Sequence, residues 1–288
     1  MLQLARRDCA ALVADGTFAD TDQHDKTVRS DQICWISDNE GDLWARATRF
    51  IHSQPRHPGL LATLRVLRSM AAEIQRGGGF PSDDLGVPRS GQLARYTAAS
   101  RIVIPPPDGA GVVAHDGAGV AHRAARGEAE EDARRSTAAV RATGGARYTA
   151  HRDGLPLTSA SLPLLLTNPG VAMREVTAIV YLTASNGVWP EDEPTHRIVE
   201  SVGALRPGSL VLYLGADPDD TTGATAHTIV EILPIGGRAV LFDSRRILHE
   251  VRPNTRTDLE RLAMTCWIGG AYDLAGLGGM VLRAWRGE

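Results

Sequence analysis

The chain has 288 residues, 43% of them hydrophobic, and a net charge of −3. That is enough apolar material for a large core, and length alone does not divide it, since all-β barrels commonly run to about 200–250 residues as one domain. The charge lacks the basic excess of a nucleic-acid surface, and no run approaches the ~20 apolar residues of a membrane helix, so neither nucleic acid nor membrane is expected as a partner.

Three widely spaced cysteines, Cys9, Cys34 and Cys266, make neither a CxxC motif nor a disulfide framework and read as reduced core thiols. Arg6, Arg7 and Asp8 interrupt any apolar leader core at the N-terminus. A cytoplasmic location is the default expectation.

In chain order, residues 2–14 space Leu2, Leu4, Ala5, Cys9, Leu12 and Val13 as a helix, with Gly16 as its stop. Residues 19–28 are polar and read as a loop. Ile33 to Ile36 is a short apolar strand. Residues 42–53 and 59–76 read as two helices, the second with a stripe of Leu61, Leu64, Leu67 and Met70. A Gly/Pro-rich loop over 77–91 precedes a strand over 92–98. Residues 101–145 open on three prolines and continue in Gly, Ala, Arg and Glu, too poor in large apolar residues to offset their ordering entropy. They read as a low-complexity insertion. The pentapeptide Ala-Arg-Tyr-Thr-Ala stands on both sides, at 94–98 and 146–150, and suits two neighbouring strands joined by an overgrown turn.

From 146 the pattern turns to strands at 146–152, 175–183, 209–214, 227–234, 238–243 and 261–268, divided by turn signals such as Asn168-Pro169-Gly170 and Arg206-Pro207-Gly208. Helices first and many short strands later argue against alternating βαβ units. The expected fold is mainly β: a double-stranded β-helix, or jelly-roll, barrel buttressed by N-terminal helices.

The chemistry centres on His151-Arg152-Asp153 and, 98 residues on, His249. Residues i and i+2 of a strand share a face, so His151 and Asp153 can converge on one ion, with His249 arriving from the opposite wall of the barrel. Two imidazoles and a carboxylate form the facial triad of non-haem Fe(II) oxygenases, which leaves positions open for a bidentate oxo acid and O2. Tyr148 flanks the first pair. Arg261 opens the last strand, and its guanidinium can hold a far carboxylate with two parallel hydrogen bonds. Asp258 and Glu260 lie close by and offer Arg261 an ordinary surface ion pair instead. His115, Asp116 and His122 read as solvated loop side chains and the acidic run Glu128 to Asp132 as a solvated helix face, while His227 lies at a strand start with nothing else pointing to it.

The blocks RSDQICWI (29–36), RYTAHRD, MREVTAIVYLT and LFDSRRILHEV with its sequel RLAMTCWI resemble the prolyl 4-hydroxylase branch of the Fe(II)/2-oxoglutarate oxygenases, above all the hypoxia-inducible-factor type. The resemblance implies that His151, Asp153 and His249 bind Fe(II), that Arg261 and Tyr181 hold 2-oxoglutarate, and that Thr265, Tyr96 and Tyr148 line its pocket. Arg174 and Trp267 would meet the substrate, a prolyl residue in a protein or peptide. Succinate and CO2 would be released, with ascorbate as an accessory reductant. It further implies one domain over 1–288: helical support and a first strand in 1–90, the insertion at 101–145, and the barrel core over 146–270. The long insertion, a second one at 154–173 and the long loop between His249 and Arg261 depart from the family and border the mouth of the site. They leave two alternatives open: an oxygenase acting on a free amino acid or other small molecule, and a non-catalytic metal-binding barrel.

Overall fold

A computed structural model describes residues 1–20, 29–37, 51–52, 57–77, 85–86, 90–98, 145–154, 171, 174–183, 194 and 196–270. Among these the elements run α1 (Leu2–Ala14), β1 (Ala19–Asp20), β2 (Gln32–Ser37), β3 (Ile51–His52), α2 (Pro58–Gly77), β4 (Leu85–Gly86), β5 (Ser90–Tyr96), β6 (Tyr148–His151), β7 (Arg174–Tyr181), β8 (Arg197–Val199), β9 (Leu210–Leu214), β10 (Thr228–Ile232), β11 (Ala239–Asp243), β12 (Leu248–Val251) and β13 (Arg261–Gly270). The larger sheet orders β1-β2-β5-β13-β7-β11, with β3 on β2 and β4 on β13. The smaller sheet orders β6-β12-β9-β10-β8. The fold is a jelly-roll barrel of two mainly antiparallel sheets.

Alternation along β13 assigns its two faces. Leu262, Met264, Cys266 and Ile268 join Leu60, Leu64 and Leu67 of α2 and Ala5, Cys9 and Leu12 of α1 in one apolar layer. Ala263 faces inward with Ile179 and Tyr181 of β7, against Leu210 and Leu212 of β9 and Val251 of β12, in a second layer between the sheets. A strand buried on both faces in this way needs apolar side chains at nearly every position, which accounts for the runs in β7 and β13.

The helices dock on the larger sheet through two specific contacts. Asp8 of α1 accepts hydrogen bonds from Gly59 N (2.6 Å) and Leu60 N (3.1 Å), supplying from another helix the cap that the α2 N-terminus needs. A side chain at Gly59 would sit 2.3 Å from Ala5 N, so only glycine lets the two backbones approach this closely. Gly16 takes a left-handed φ of 64° just after α1, as a helix stop requires. All three cysteines are buried and free, and burial pushes each thiol up to about 12.

Several expectations are corrected. Ile51–His52, assigned by sequence to a helix over 42–53, is a strand running parallel to β2, with Ile36 opposite Ile51; residues 42–50 lie outside the described residues. The buried stripe of α2 is Leu60, Leu64, Leu67 and Ala71, one position off at each end, because the helix meets the sheet through the i, i+4, i+7 row that starts at Leu60. The loops expected over 19–28 and 77–91 contain β1, β4 and the start of β5, while β8 and β12 were absent from the expected strands. The two Ala-Arg-Tyr-Thr-Ala copies are not paired strands. β5 already has β2 and β13 on its two edges, so β6 joins the other sheet, and the copies share the backbone hydrogen bond Ala146 N→Thr97 O (2.8 Å). The insertion over 101–144 lies outside the described residues, as do His115, Asp116, His122, Glu128 to Asp132 and 155–170 of the second insertion. No helix among the described residues is long and apolar enough to cross a membrane.

Leu64 is fully buried between α2 and the larger sheet. Leu64→Ala is expected to lower unfolding free energy by about 2–5 kcal/mol, against less than about 0.5 kcal/mol for Val66→Ala on the exposed face, read by denaturant titration.

Candidate active site

β6 and β12 are adjacent antiparallel strands, and their register sets Cα of His151 directly against Cα of His249. The two imidazoles therefore come from one sheet, not from opposite walls as the sequence spacing suggests. A directly opposed pair brings Cβ atoms within about 4.5–5.5 Å, and the ring centroids lie 4.3 Å apart. Asp153 follows beyond the end of β6, on a bend. Its carboxylate stands 3.5 Å from each imidazole Nε2, Oδ1 toward His151 and Oδ2 toward His249. One donor atom from each of the three residues lies within 4.8 Å of the others.

The backbone prepares the rings. His151 Nδ1 contacts Thr149 O (2.8 Å) and His249 Nδ1 contacts Ile247 O (3.2 Å). A carbonyl only accepts, so each Nδ1 carries the proton and each Nε2 keeps its lone pair for a metal. Burial lowers the His249 pKa to about 4, helped by neighbouring His151 and opposed by Asp153, so this ring is neutral at pH 7. Burial by itself would raise the Asp153 carboxyl, but His249, then His151 and Arg174, outweigh it and hold the group far below the usual carboxylate range. A carboxylate with two imidazoles that each present Nε2 is the donor set Fe(II) takes, and these residues fit that ion.

β6 also carries a bulge. His151 opposes His249, yet Tyr148, three residues earlier, opposes Val251, only two residues along β12. One extra residue on β6 turns both Tyr148 and His151 inward, where their rings stack with centroids 3.5 Å apart. Both line one cavity, which is open to solvent.

Arg261 lines the same cavity from the start of β13, directly opposite Tyr96 of β5. Its guanidinium sits 4.4 Å from the Tyr96 ring centroid and 5.2 Å from that of Tyr181. The side chain is only 2% exposed. The nearby acids that could have neutralised it are taken: Glu260 pairs with Arg95 and Asp258 with Arg256. Among the described residues Arg261 has no carboxylate partner, and both its Nε and the Tyr181 hydroxyl lack a hydrogen bond. Burying a cation without its counter-ion costs several kcal/mol. That cost is recovered when an anionic ligand arrives, and the carboxylate of an oxo acid fits.

Thr265 and Trp267 follow on the same face of β13 and line the cavity too. Arg174 stacks over the Trp267 ring at 4.0 Å and donates to Asp153 O (3.3 Å). His227 stays apart, after β9.

Other residues escaped the sequence reading. Arg29 donates to both oxygens of Asp31 (2.6 and 2.9 Å) and to Gln92 Oε1 (2.7 Å), and covers the Tyr148 ring at 4.6 Å. Burial works against its charge, but Asp31 outweighs it and raises the Arg29 pKa. Asn254, fully buried, donates to Tyr96 O and Leu259 O and ties the loop from β12 to β13 onto β5. Arg152, between the two ligands, turns away and grips Asp217 O and Asp220 O. The RSDQICWI block had contained Arg29, but only as part of a resemblance; Asn254 and Arg152 carry no signal at the level of spacing.

Residues 136–269, just under half of the chain, match the family model described as the 2OG-Fe(II) oxygenase superfamily. No curated protein matches the chain. Among solved structures, a prolyl hydroxylase from Trichoplax adhaerens, in complex with a hypoxia inducible factor oxygen degradation domain peptide fragment, is 17% identical with a TM-score of 0.49, covering 93% of this chain and 78% of that one. A Pseudomonas putida prolyl-4-hydroxylase is 17% identical (TM-score 0.45, 94% and 88% covered). A prolyl 4-hydroxylase structure from Phytophthora capsici is 16% identical (TM-score 0.45, 94% and 55% covered). The matched segment contains all three converging donors and the buried arginine, and its match to that family model marks the chain as a 2-oxoglutarate-dependent dioxygenase that uses Fe(II).

Proposed function

We propose that this dioxygenase hydroxylates prolyl residues in a protein or peptide, with His151, Asp153 and His249 as the iron ligands and Arg261 as the anchor of 2-oxoglutarate. The observation that carries the site assignment is the pairing, within one cavity, of a His/Asp/His cluster with a buried guanidinium that has no carboxylate partner among the described residues. A structural metal site would not require the second feature. The prolyl substrate is supported by the sequence blocks that resemble prolyl 4-hydroxylases.

Held by His151, Asp153 and His249, Fe(II) would supply O2 activation coupled to decarboxylation of the oxo acid, with one oxygen atom passing to succinate as CO2 leaves and the other to a substrate C–H bond. The protein supplies geometry. His151 and His249 offer Nε2 because Thr149 O and Ile247 O hold their Nδ1 protons. Arg261, braced between Tyr96 and Tyr181, receives the far carboxylate, and the Tyr181 hydroxyl is placed to share it. Thr265 and Trp267 border the space between anchor and metal. Arg174, stacked on Trp267, stands beside Asp153 and would contact the peptide. The apolar inner layer walls the cavity on the barrel side and lowers the local dielectric, which strengthens the charge interactions there.

Succinate release is expected when the protein meets Fe(II), 2-oxoglutarate, ascorbate and proline-containing peptides, and His249→Ala should abolish it. An undiminished rate in that variant would remove the iron assignment. Mass spectrometry should find one added oxygen on peptide proline; oxygen on free amino acids instead would move the substrate to small molecules.

Arg261→Lys keeps the charge but loses the two-pronged donor. It should raise the KM for 2-oxoglutarate by about 10- to 100-fold, as expected for one charge-assisted hydrogen bond worth about 1.5–3 kcal/mol, while metal affinity stays unchanged. An unchanged KM would place the oxo acid elsewhere.

A further inference from the structure

Asp153 is the one proposed ligand that no strand ladder holds, since β6 ends at His151. What holds its carboxylate comes from the other sheet. Thr177 of β7, fully buried, donates its hydroxyl proton to Asp153 Oδ2 at 2.7 Å. Its oxygen also lies 2.7 Å from Ser244 Oγ. A hydroxyl has one proton, and that of Thr177 is committed to the carboxylate, so Ser244 is the donor to Thr177. Ser244 is fully buried and pinned by its backbone on both sides: its N donates to Glu175 O (2.8 Å), and its O accepts from Gly154 N (2.9 Å). The turn that presents it is closed by Asp243, whose Oδ1 accepts from Arg245 N and Arg246 N. Gly154 completes the fit, for a side chain there would meet Arg174 O at 2.6 Å.

The geometry points to Thr177 and Ser244 as positioning residues for the proposed metal ligand Asp153: their hydroxyl relay takes a lone pair of Oδ2 and fixes the rotation of the carboxylate, so that Oδ1 is the oxygen favoured for the ion. A carboxylate free to turn could bind through both oxygens and fill a position that the oxo acid or O2 needs. The relay keeps those positions open. Hydrogen-bonded ligand partners of this kind typically change metal affinity by one to two orders of magnitude.

The inference rests on the iron reading above, and its test separates the two. Metal-free protein is titrated with Co(II), which resists oxidation and reports its coordination by visible absorption. Thr177→Val removes the hydroxyl and keeps the shape; its Co(II) affinity should fall by about 10- to 100-fold, its Co(II) spectrum should differ from wild type, and 2-oxoglutarate should perturb that spectrum less. Thr177→Ser should restore affinity and spectrum together, which a purely structural role for the methyl group would not allow. Ser244→Ala should give a smaller loss of affinity. A folded Thr177→Val protein with wild-type affinity and spectrum would overturn the inference while leaving the iron site standing. Should Thr177→Val fail to fold, Ser244→Ala decides, and unchanged Co(II) binding there overturns it. If wild-type protein binds no Co(II), the iron reading fails and takes this one with it.

Discussion

The register between β6 and β12 is the constraint on which the site depends. It sets His151 against His249 across one antiparallel ladder, so the separation of the two imidazoles is fixed by backbone hydrogen bonds and not by loop conformation. A slip of one residue would turn one ring to the outer face. The register is held from both sides, because β12 also pairs with β9 through Leu248 to Val251. The inward-facing Leu210, Leu212 and Val251 would all be exposed by a shift.

Charge is distributed along the cavity to match what it must receive. An ionised carboxylate between two imidazoles favours a cation. On the same cavity a buried guanidinium has no carboxylate partner among the described residues. Neither group is neutral alone, and in a low-dielectric interior both are costly. A divalent metal chelated by a dianionic oxo acid answers both demands at once. Part of the stability of the loaded protein should therefore come from its ligands and not from its core.

Much of this was legible in the sequence. Short apolar runs between turn signals announced β7, β9 and β13, and the i, i+2 spacing of His151 and Asp153 singled them out as candidate ligands. Arg261 stood out only beside the triad, because a guanidinium can hold a far carboxylate with two parallel hydrogen bonds; alone it would have read as a surface ion pair. What could not be read was pairing. Nothing local says that β6 leaves β5 for the other sheet, or that His249 lies beside His151 and not across from it, because ladder partners are chosen by the whole barrel. Asp153 lies past the strand end, so the face-sharing rule gave the right residue for an incomplete reason. Thr177 and Ser244 passed as ordinary strand and turn residues, since a hydroxyl is functional only through its neighbour. Ile51–His52 were misassigned because a two-residue strand leaves no period to detect.

The bulge in β6 bears on how this barrel tolerates change. Tyr148 and His151 share the inner face only because the strand carries one residue more than its partner. Losing a single residue between them would restore regular pleating and send the stacked tyrosine outward, even with every ligand retained. Gaining one would break the stacking as well. Chain-length variation can accumulate in the connections before and after this short span, but within it the count itself is part of the chemistry.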